Sequence, residues 1–351
     1  MNASLLTALN RIVGSRWVRH RRAELVTYAM DGLPTHESLP GVVVIPETPA
    51  QVREILRLLH LLQVPFVARG AGTGLSGGAL AEPDTVLIAL TRLNRILSVD
   101  PVQRRAVLQP GVVNARLSEA VLPLGLHYVP DPSSQAACTV GGNVAENAGG
   151  PHCLKYGVTT NHIVALEVVL PDGSVTRLGS LQGEAWGPDL VGLFVGSEGM
   201  FGIATEITVR LERIPESVRT MLADFTTVRG ASEAVSAVIA AGIVPAALEM
   251  MDRACVAAVE ASIYAAGYPT DAAAVLLVEL DGQTDAVEAE AATVREILSD
   301  RGAREVRSAS TPADRARLWQ GRKKAFGAMG RIAPDLAVQD AVVPRSALPD
   351  I

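Results

Sequence analysis

Five glycines fall within residues 69–78 and thirteen more within 141–202, out of 31 in the chain. Glycine packed this densely marks backbone that approaches a ligand, or turns too tight for a side chain. The first cluster, Arg69-Gly70-Ala71-Gly72-Thr73-Gly74-Leu75-Ser76-Gly77-Gly78, follows directly on an apolar run. Small residues in succession let backbone N–H groups converge on an anion, and such nests bind phosphate. The second cluster comprises Pro132-Ser133-Ser134, the stretch Thr139-Val140-Gly141-Gly142-Asn143-Val144-Ala145-Glu146-Asn147-Ala148-Gly149-Gly150, and Lys155-Tyr156-Gly157. Hydroxyl and amide side chains among glycines offer many donors and acceptors with little bulk, which suits a flat, polar ligand. The third, Val195-Gly196-Ser197-Glu198-Gly199-Met200-Phe201-Gly202-Ile203, reads equally well as a tight turn between a helix and a strand.

Two familiar phosphate loops test the first cluster. GxxxxGK[ST] fails because no Lys follows. GxGxxG fits only at Gly72–Gly77, a weak match, and the acidic residue that a nicotinamide dinucleotide site needs about 20 positions further on is missing from LTRLN at 90–94.

These clusters must be carried by a folded frame, and the elements are legible. Leu5, Leu6, Leu9, Ile12 and Val13 have helical spacing. VVVIP at 42–46, a helix opened by Thr48 as N-cap and Pro49 as first residue and running to Gln63, and PFVARG at 65–70 form a βαβ unit. TVLIAL at 85–90, ILSVD at 96–100 and RAVLQPG at 105–111 read as strands, with a helix near 114–123. The segment 164–179 is a hairpin turning at Pro171-Asp172-Gly173-Ser174, and GIATEITVRLERIP at 202–215 is a strand ended by Pro215. Beyond it the pattern is regular: TMLADF, helix 231–241, ALEMMD, helix 253–266, AVLLVEL at 274–280, helix 284–301, REVRSAS and a helix from Pro312 to about Arg331, then a strand in AVQDAVVP at 337–344. This alternation predicts an open sheet covered by helices on one face. The domains expected are an N-terminal helical segment at 1–37, a ligand-binding domain at 38–216 and a second domain at 217–351.

Composition narrows the function. At 351 residues, 48% hydrophobic and 19% charged, the chain can bury two cores and is not disordered. A net charge of −6 argues against a sequence-independent nucleic-acid binder. Three scattered cysteines give neither a disulfide framework nor a zinc or iron–sulfur pattern. No apolar run approaches the roughly 20 residues of a membrane span and no signal-peptide core is present, so the expected location is the cytoplasm.

The three glycine segments in this order, above all RGAGTGLSGGA and TVGGNVAENAGGPHCLKYG, resemble the FAD-linked 2-hydroxy-acid oxidoreductases, whose flavin domain is of the vanillyl-alcohol oxidase type. The resemblance runs from about residue 20 to the end and is nearest to the D subunit of glycolate oxidase and to D-lactate dehydrogenase. It implies an α+β fold, with a split, two-subdomain FAD-binding domain followed by an incomplete α+β cap domain with an antiparallel sheet. By position, Arg69, Gly70, Ala71, Gly72, Thr73, Gly74, Leu75 and Ser76 would line the FAD pyrophosphate. Ser133, Ser134, Thr139, Gly142, Asn143, Ala145, Asn147, Gly149, Tyr156 and Gly157 would follow the flavin and its linker, and Glu198 and Ile203 would border the adenosine end. Some relatives attach FAD covalently through a His in the first loop. Thr73, Gly74, Leu75 and Ser76 stand there, so FAD is expected to be non-covalent.

The implied reaction is oxidation of a small 2-hydroxy acid, glycolate or D-lactate, to the 2-oxo acid with hydride transfer to the flavin. Arg322, in LWQGRKK, occupies the family's carboxylate-anchoring position; the bidentate fork of Arg suits that task, whereas the residues alone read as a solvated basic helix face. The family's His-rich HxGDGN-type segment, which supplies metal ligands and the base, does not occur before Ile351. The chain therefore reads as an incomplete member whose metal site is expected beyond Ile351, and the alternative is a flavin-binding module without turnover. Of six histidines only His152 lies in a cofactor segment, and it reads as a hydrogen-bonded structural residue. The resemblance implies a second flavin subunit and an iron–sulfur subunit as partners, with peripheral association at the inner face of the membrane through them.

Overall fold

The computed structural model describes residues 3–181, 187–333, 336 and 338–350. They divide into two units, one made of the residues up to Gly150 with Gly157–Ile214, the other of Pro151–Tyr156 with the residues from Pro215 onward.

In the first unit, α1 (Ala3–Val13) buries Leu5, Leu9 and Val13, a single stripe at helical spacing. β1 (Val18–Arg19), α2 (Arg22–Leu25) and β2 (Val42–Val44) follow. Thr48 Oγ1 accepts from the N–H of Gln51 at 3.2 Å and Pro49 opens α3 (Pro49–Leu62), as the sequence predicts. The chain then forms β3 (Phe66–Arg69) and β4 (Val86–Ala89). β2 and β3 do not pair with each other: β4 lies between them, parallel to both, and β1 adds an antiparallel edge. All of β2 and β4 is buried, because Val42, Val44, Val86 and Ile88 pack with α1 and α3 while Val43, Leu87 and Ala89 pack with Leu25 and Ala81. Burial on both faces explains continuous apolar runs where a half-exposed strand would alternate.

Next come β5 (Ile96–Asp100), β6 (Arg105–Leu108), α4 (Asn114–Val121), β7 (Leu126–His127), α5 (Val140–Glu146) and α6 (Cys153–Tyr156), the last belonging to the second unit. β8 (Ile163–Val169), β9 (Val175–Gly179), α7 (Leu190–Phe194), β10 (Ile203–Arg210) and β11 (Glu212–Arg213) complete the first unit. An antiparallel five-stranded sheet runs β5-β6-β10-β8-β9, and β11 pairs with β7. α4, α5 and α7 cover this sheet through Leu117, Val121, Val140, Val144, Val191 and Phe194. The β8–β9 hairpin turns where expected, with Gly173 at φ 81°.

The second unit adds β12 (Ser217–Phe225), α8 (Val228–Ala240), β13 (Ala247–Asp252), α9 (Arg253–Glu260), β14 (Ala274–Gly282), α10 (Thr284–Asp300), β15 (Ala303–Ser308) and α11 (Pro312–Met329). Its antiparallel sheet has the order β13-β14-β12-β15. The one-sided cover expected from the sequence is corrected here. α8 and α10 pack on the face bearing Met221, Ala223, Leu276 and Val278, while α9 and α11 pack on the face bearing Leu222, Val275 and Leu277. The signal lay in the unbroken apolar run of β14, which has no solvent face. α9 also stops sooner than predicted, because Glu260 Oε1 accepts from the N–H groups of Ala266 (2.8 Å) and Tyr268 (3.0 Å) and folds the chain back. The strand expected at 337–344 does not form over 338–344, and Ala337 lies outside the described residues. Val342 stands in solvent and no sheet edge takes the segment up; without a partner strand, alternation alone makes no ladder.

Two-sided burial has a measurable consequence. Leu276→Ala and Leu277→Ala remove side chains from opposite faces of β14, and each is expected to cost about 2–5 kcal/mol in urea unfolding. A cost below about 1 kcal/mol for either would contradict the helix layer on that face.

Candidate functional site

α5 gathers the three glycine segments of the first unit. Thr139 caps it, its Oγ1 accepting from the N–H of Gly142 at 3.3 Å, and the first turn lies against Pro110–Val112: Gly141 N–H donates to Pro110 O and Val140 N–H to Val112 O, both at 2.8 Å. A Cβ on Gly141 would stand 2.5 Å from Pro110 Cβ, so only glycine permits this approach. The first segment meets the same helix. A side chain at Gly70 would run into Thr139 Oγ1, and Ser76 Oγ donates to Glu146 Oε2 at 3.1 Å. The third segment docks on the other end, where Gly196 and Glu198 donate their N–H groups to the carbonyls of Val144 and Ala145, each at 2.8 Å. Helix ends leave such carbonyls without partners, and this turn supplies them. The docking uses left-handed backbone at Asn147 (φ 48°), Gly196 (φ 84°), Glu198 (φ 53°) and Gly199 (φ 80°).

Arg69 opens the first segment with its guanidinium buried. It donates to the carbonyls of Tyr28 (3.2 Å), Met30 (2.7 Å) and Ala79 (3.2 Å), so its side chain shapes the loop from within. Burial lowers its pKa, against the opposing charge of Asp31. Gly72 leaves room for that guanidinium, and a Cβ on Gly32 would stand 2.6 Å from Gly74 O. The segment Tyr28–Leu33 is thus a fourth wall that sequence reasoning missed; Asp31-Gly32, a turn dipeptide, was its one signal.

The inner surface of this loop has mixed polarity. Among the described residues, the N–H groups of Gly72–Ser76 have no hydrogen-bond acceptor within the chain. Beside them Asp31, Glu146 and Glu198 bring three carboxylates: burial first, then the charges of Glu198 and Asp31, push the Glu146 carboxyl above its ordinary range against the Ser76 hydrogen bond. Asp31 Oδ2 is buried with no hydrogen-bond partner. Free N–H donors suit a phosphate, and adjacent carboxylates suit hydroxyl groups; a phosphorylated, polyhydroxylated ligand satisfies both.

The second segment is braced by buried amides. Asn114 Nδ2 donates to Pro130 O and to Asn143 Oδ1, both at 2.9 Å, and Gln135 Nε2 donates to Asn114 Oδ1 at 3.2 Å. The Asn143 side chain is therefore committed to the fold, as is that of Ile203, packed in the core with Val169. Ser134 O accepts from Ala137 and Cys138 at 2.8 Å, which curls Ser133 and Ser134 into a turn. Gly150 lies against Asp131, where a Cβ would come within 2.7 Å of its backbone, and Gly157 holds φ 82° beside Asn161. Arg69 to Ser76, Ser133, Ser134, Thr139, Gly142, Asn143, Ala145, Asn147, Gly149, Gly157, Glu198 and Ile203 all belong to the first unit, whereas Tyr156 and Arg322 belong to the second.

In the second unit the segment Pro151–Tyr156 is held by two carboxylates on one face of β14. Lys155 Nζ is paired with the Asp281 carboxylate, and Tyr156 OH donates to Asp281 Oδ2 at 2.7 Å. Glu279, only 1% exposed, is met by His152 Nε2 (3.2 Å), Thr220 Oγ1 (2.6 Å), Trp319 Nε1 (2.5 Å) and Arg315 through Nε (3.0 Å) and Nη2 (2.8 Å). His152 has the hydrogen-bonded place read for it. Burial raises the Glu279 pKa, but the hydrogen bonds from His152 and Arg315 and the charge of Arg315 outweigh burial and bring it to about 2. Arg322 donates Nε (2.7 Å) and Nη2 (2.6 Å) to Glu249 Oε2. Among the described residues no group of three or more His, Cys, Asp or Glu could hold a metal ion, and no helix is long and apolar enough to cross a membrane.

Comparison with known proteins bears on this geometry. Residues 40–179 match the model of an FAD binding domain, and residues 214–351 that of the C-terminal domain of FAD linked oxidases. The chain is 49% identical over 348 residues to the glycolate oxidase subunit GlcD of Escherichia coli (strain K12), covering 99% of this chain and 70% of that one. It is 39% identical over 322 residues to the Bacillus subtilis GlcD (92% and 68%) and 33% identical over 312 residues to a D-lactate dehydrogenase of Anaerostipes hadrus (87% and 66%). Among solved structures, p-cresol methylhydroxylase superposes with a TM-score of 0.80 at 19% identity, covering 93% of this chain and 71% of that one, a likeness of fold.

The buried carboxylate sets a pH dependence. Its folded pKa of about 2 lies below the ordinary 4.5, so the stability it contributes is present above about pH 4.5 and is lost as pH falls toward 2. Thermal unfolding followed from pH 6 to pH 2 should show this loss, and Glu279→Gln should flatten it; an unchanged profile in that variant would place the acid sensitivity elsewhere.

Proposed function

The chain belongs to the FAD-linked oxidases, and from that premise we propose that it is an FAD-dependent dehydrogenase of small 2-hydroxy acids, glycolate or D-lactate, forming the 2-oxo acid. The observation that carries the reading is the likeness to glycolate oxidase subunits along nearly the whole chain, with an FAD-binding model and an FAD-linked oxidase model in succession. FAD, when bound, supplies the acceptor for the hydride that leaves Cα.

The chain's own residues take the following parts. Residues 38–216 form the FAD-binding domain, behind an N-terminal helical segment at 1–37, and residues 217–351 form the substrate or cap domain. The unengaged N–H groups of Gly72–Ser76 receive the pyrophosphate, with Gly70 and Ala71 allowing close approach and Arg69 holding the loop's shape from behind. Ser133, Ser134, Thr139, Gly142, Asn143, Ala145, Asn147, Gly149, Tyr156 and Gly157 follow the flavin and its linker, Asn143 through its backbone because its side chain is spent on Asn114. Glu198 and the backbone of Ile203 border the adenosine end. The cofactor is held without a covalent bond, since Thr73, Gly74, Leu75 and Ser76 offer no His.

Arg322 anchors the substrate carboxylate through its guanidinium. The hydroxyl proton requires a base within hydrogen-bond reach; His152, engaged with Glu279, is not assigned that role. A second flavin subunit and an iron–sulfur subunit serve as partners, and the protein works in the cytoplasm, peripheral to the membrane through them.

Three measurements test this. The yellow holoenzyme should be bleached anaerobically by glycolate or D-lactate, and an unbleached flavin would exclude both as substrates. Arg322→Ala should abolish that reduction with FAD content unchanged; unaltered reduction would move the carboxylate anchor elsewhere. Gly74→Leu adds bulk where the nearest protein atom to a Cβ is 3.4 Å away, so the fold should survive while FAD is lost. A fully yellow Gly74→Leu protein would contradict the pyrophosphate assignment.

A further inference from the structure

Two neighbours bear on Arg322, one through the backbone of α11 and one through the guanidinium itself. Tyr268 donates its hydroxyl to Leu318 O, inside the turn of α11 that leads to Arg322. Its ring occupies the space beside Gly321: a Cβ there would stand 2.7 Å from both Tyr268 Cε2 and its hydroxyl oxygen. Position 321 therefore has to be glycine for the helix to sit on the ring. Burial raises the Tyr268 pKa, so the phenol stays protonated and keeps donating. The second neighbour is Glu249 on β13, whose place is set by its register opposite Leu277.

Glu249 takes Arg322 in a specific way. Nε and Nη2 both reach the single oxygen Oε2, at 2.7 and 2.6 Å. A guanidinium has two forked edges for a carboxylate, a side edge formed by Nε and Nη2 and an end edge formed by Nη1 and Nη2. The side edge is occupied. The end edge is left as the fork on which a second carboxylate can be received in the same plane. The pair is also largely withdrawn from solvent, with side-chain exposures of 31% for Arg322 and 17% for Glu249, which separates it from surface ion pairs that hold no fixed geometry.

We infer that Glu249 is a positioning residue for substrate binding: it fills the side edge of Arg322 and thereby presents the end edge, Nη1 and Nη2, to the carboxylate of the 2-hydroxy acid. The inference rests on the reading of Arg322 as the carboxylate anchor. Glu249 touches no substrate in this scheme. It fixes the plane and direction of the group that does, while Tyr268 holds the turn of α11 that carries it.

The test is steady-state and anaerobic reduction kinetics on holoenzyme, with rates expressed per bound FAD, for Glu249→Ala, Glu249→Asp, Glu249→Gln and Arg322→Ala. Loss of the acceptor for Nε and Nη2 should raise KM for glycolate or D-lactate by about tenfold in Glu249→Ala, with a much smaller change in kcat. Glu249→Asp keeps the charge but withdraws the acceptor, so its KM should rise as well. Glu249→Gln keeps an acceptor at the same reach and should recover most of the lost affinity. If Glu249→Ala does not fold, the comparison of Asp with Gln decides alone. A Gln variant with KM as high as or higher than that of Asp overturns the positioning role, because charge and not reach would then matter. So does a wild-type KM in Glu249→Ala when Arg322→Ala is defective. Wild-type kinetics in Arg322→Ala would instead overturn the anchor reading itself, which keeps the two failures apart.

Discussion

Close backbone approach around one short helix governs the architecture of the first unit. α5 can bear the first glycine segment on its cap, the Pro110–Val112 strand end on its first turn and the third segment on its last carbonyls only because Gly70, Gly141 and Gly196 carry no side chain. Adding even a methyl group at Gly70 or Gly141 drives it into Thr139 or Pro110. Loops that come together this way need few side-chain contacts, and among the described residues the N–H groups of Gly72–Ser76 are left without an acceptor in the chain. The rigidity comes from behind, from the Arg69 guanidinium on three carbonyls and from the Asn114–Asn143 amide pair. Such a loop is pre-shaped before any ligand arrives, which lowers the ordering cost of binding.

The second unit depends on a different constraint, a carboxylate taken out of water. Glu279 loses hydration and regains it from His152, Thr220, Arg315 and Trp319, which come from three stretches of the chain. A buried ion pair is a weak source of stability but a strict one, because removing a single partner leaves the remainder unsatisfied. Arg315, Trp319 and Arg322 follow one another on α11 at helical spacing, so fixing the first two at Glu279 also fixes the rotation of the helix that carries the third. The orientation of Arg322 thus begins at Glu279, through the two residues that precede it on the same helix.

Much of this was legible in the sequence. The capped helix after Thr48-Pro49, the hairpin at Gly173 and the three glycine segments were found by local rules, since caps, turns and close approach depend on a few adjacent residues. What escaped was long-range. The strand between β2 and β3, the second helix layer on the β14 sheet and the wall formed by Asp31-Gly32 are set by pairing and packing across many residues. A run such as AVLLVEL fits a strand buried on either one face or both, and AVQDAVVP alternates without a partner to pair with. Glu249 and Glu279 sit inside apolar strands where nothing nearby in sequence betrays their partners, 73 and 36 residues away on α11.

The six residues Pro151–Tyr156 belong by contact to the second unit although they interrupt the sequence of the first. The chain therefore passes between the units three times, at Gly150–Pro151, Tyr156–Gly157 and Ile214–Pro215. The second unit consequently cannot be inherited or exchanged as one contiguous block. A recombinant that imports everything after Ile214 from a relative leaves His152, Lys155 and Tyr156 facing foreign residues in place of Glu279 and Asp281. In a lineage that diversifies its substrates by altering the later half of the chain, these few positions in the earlier half must change in step.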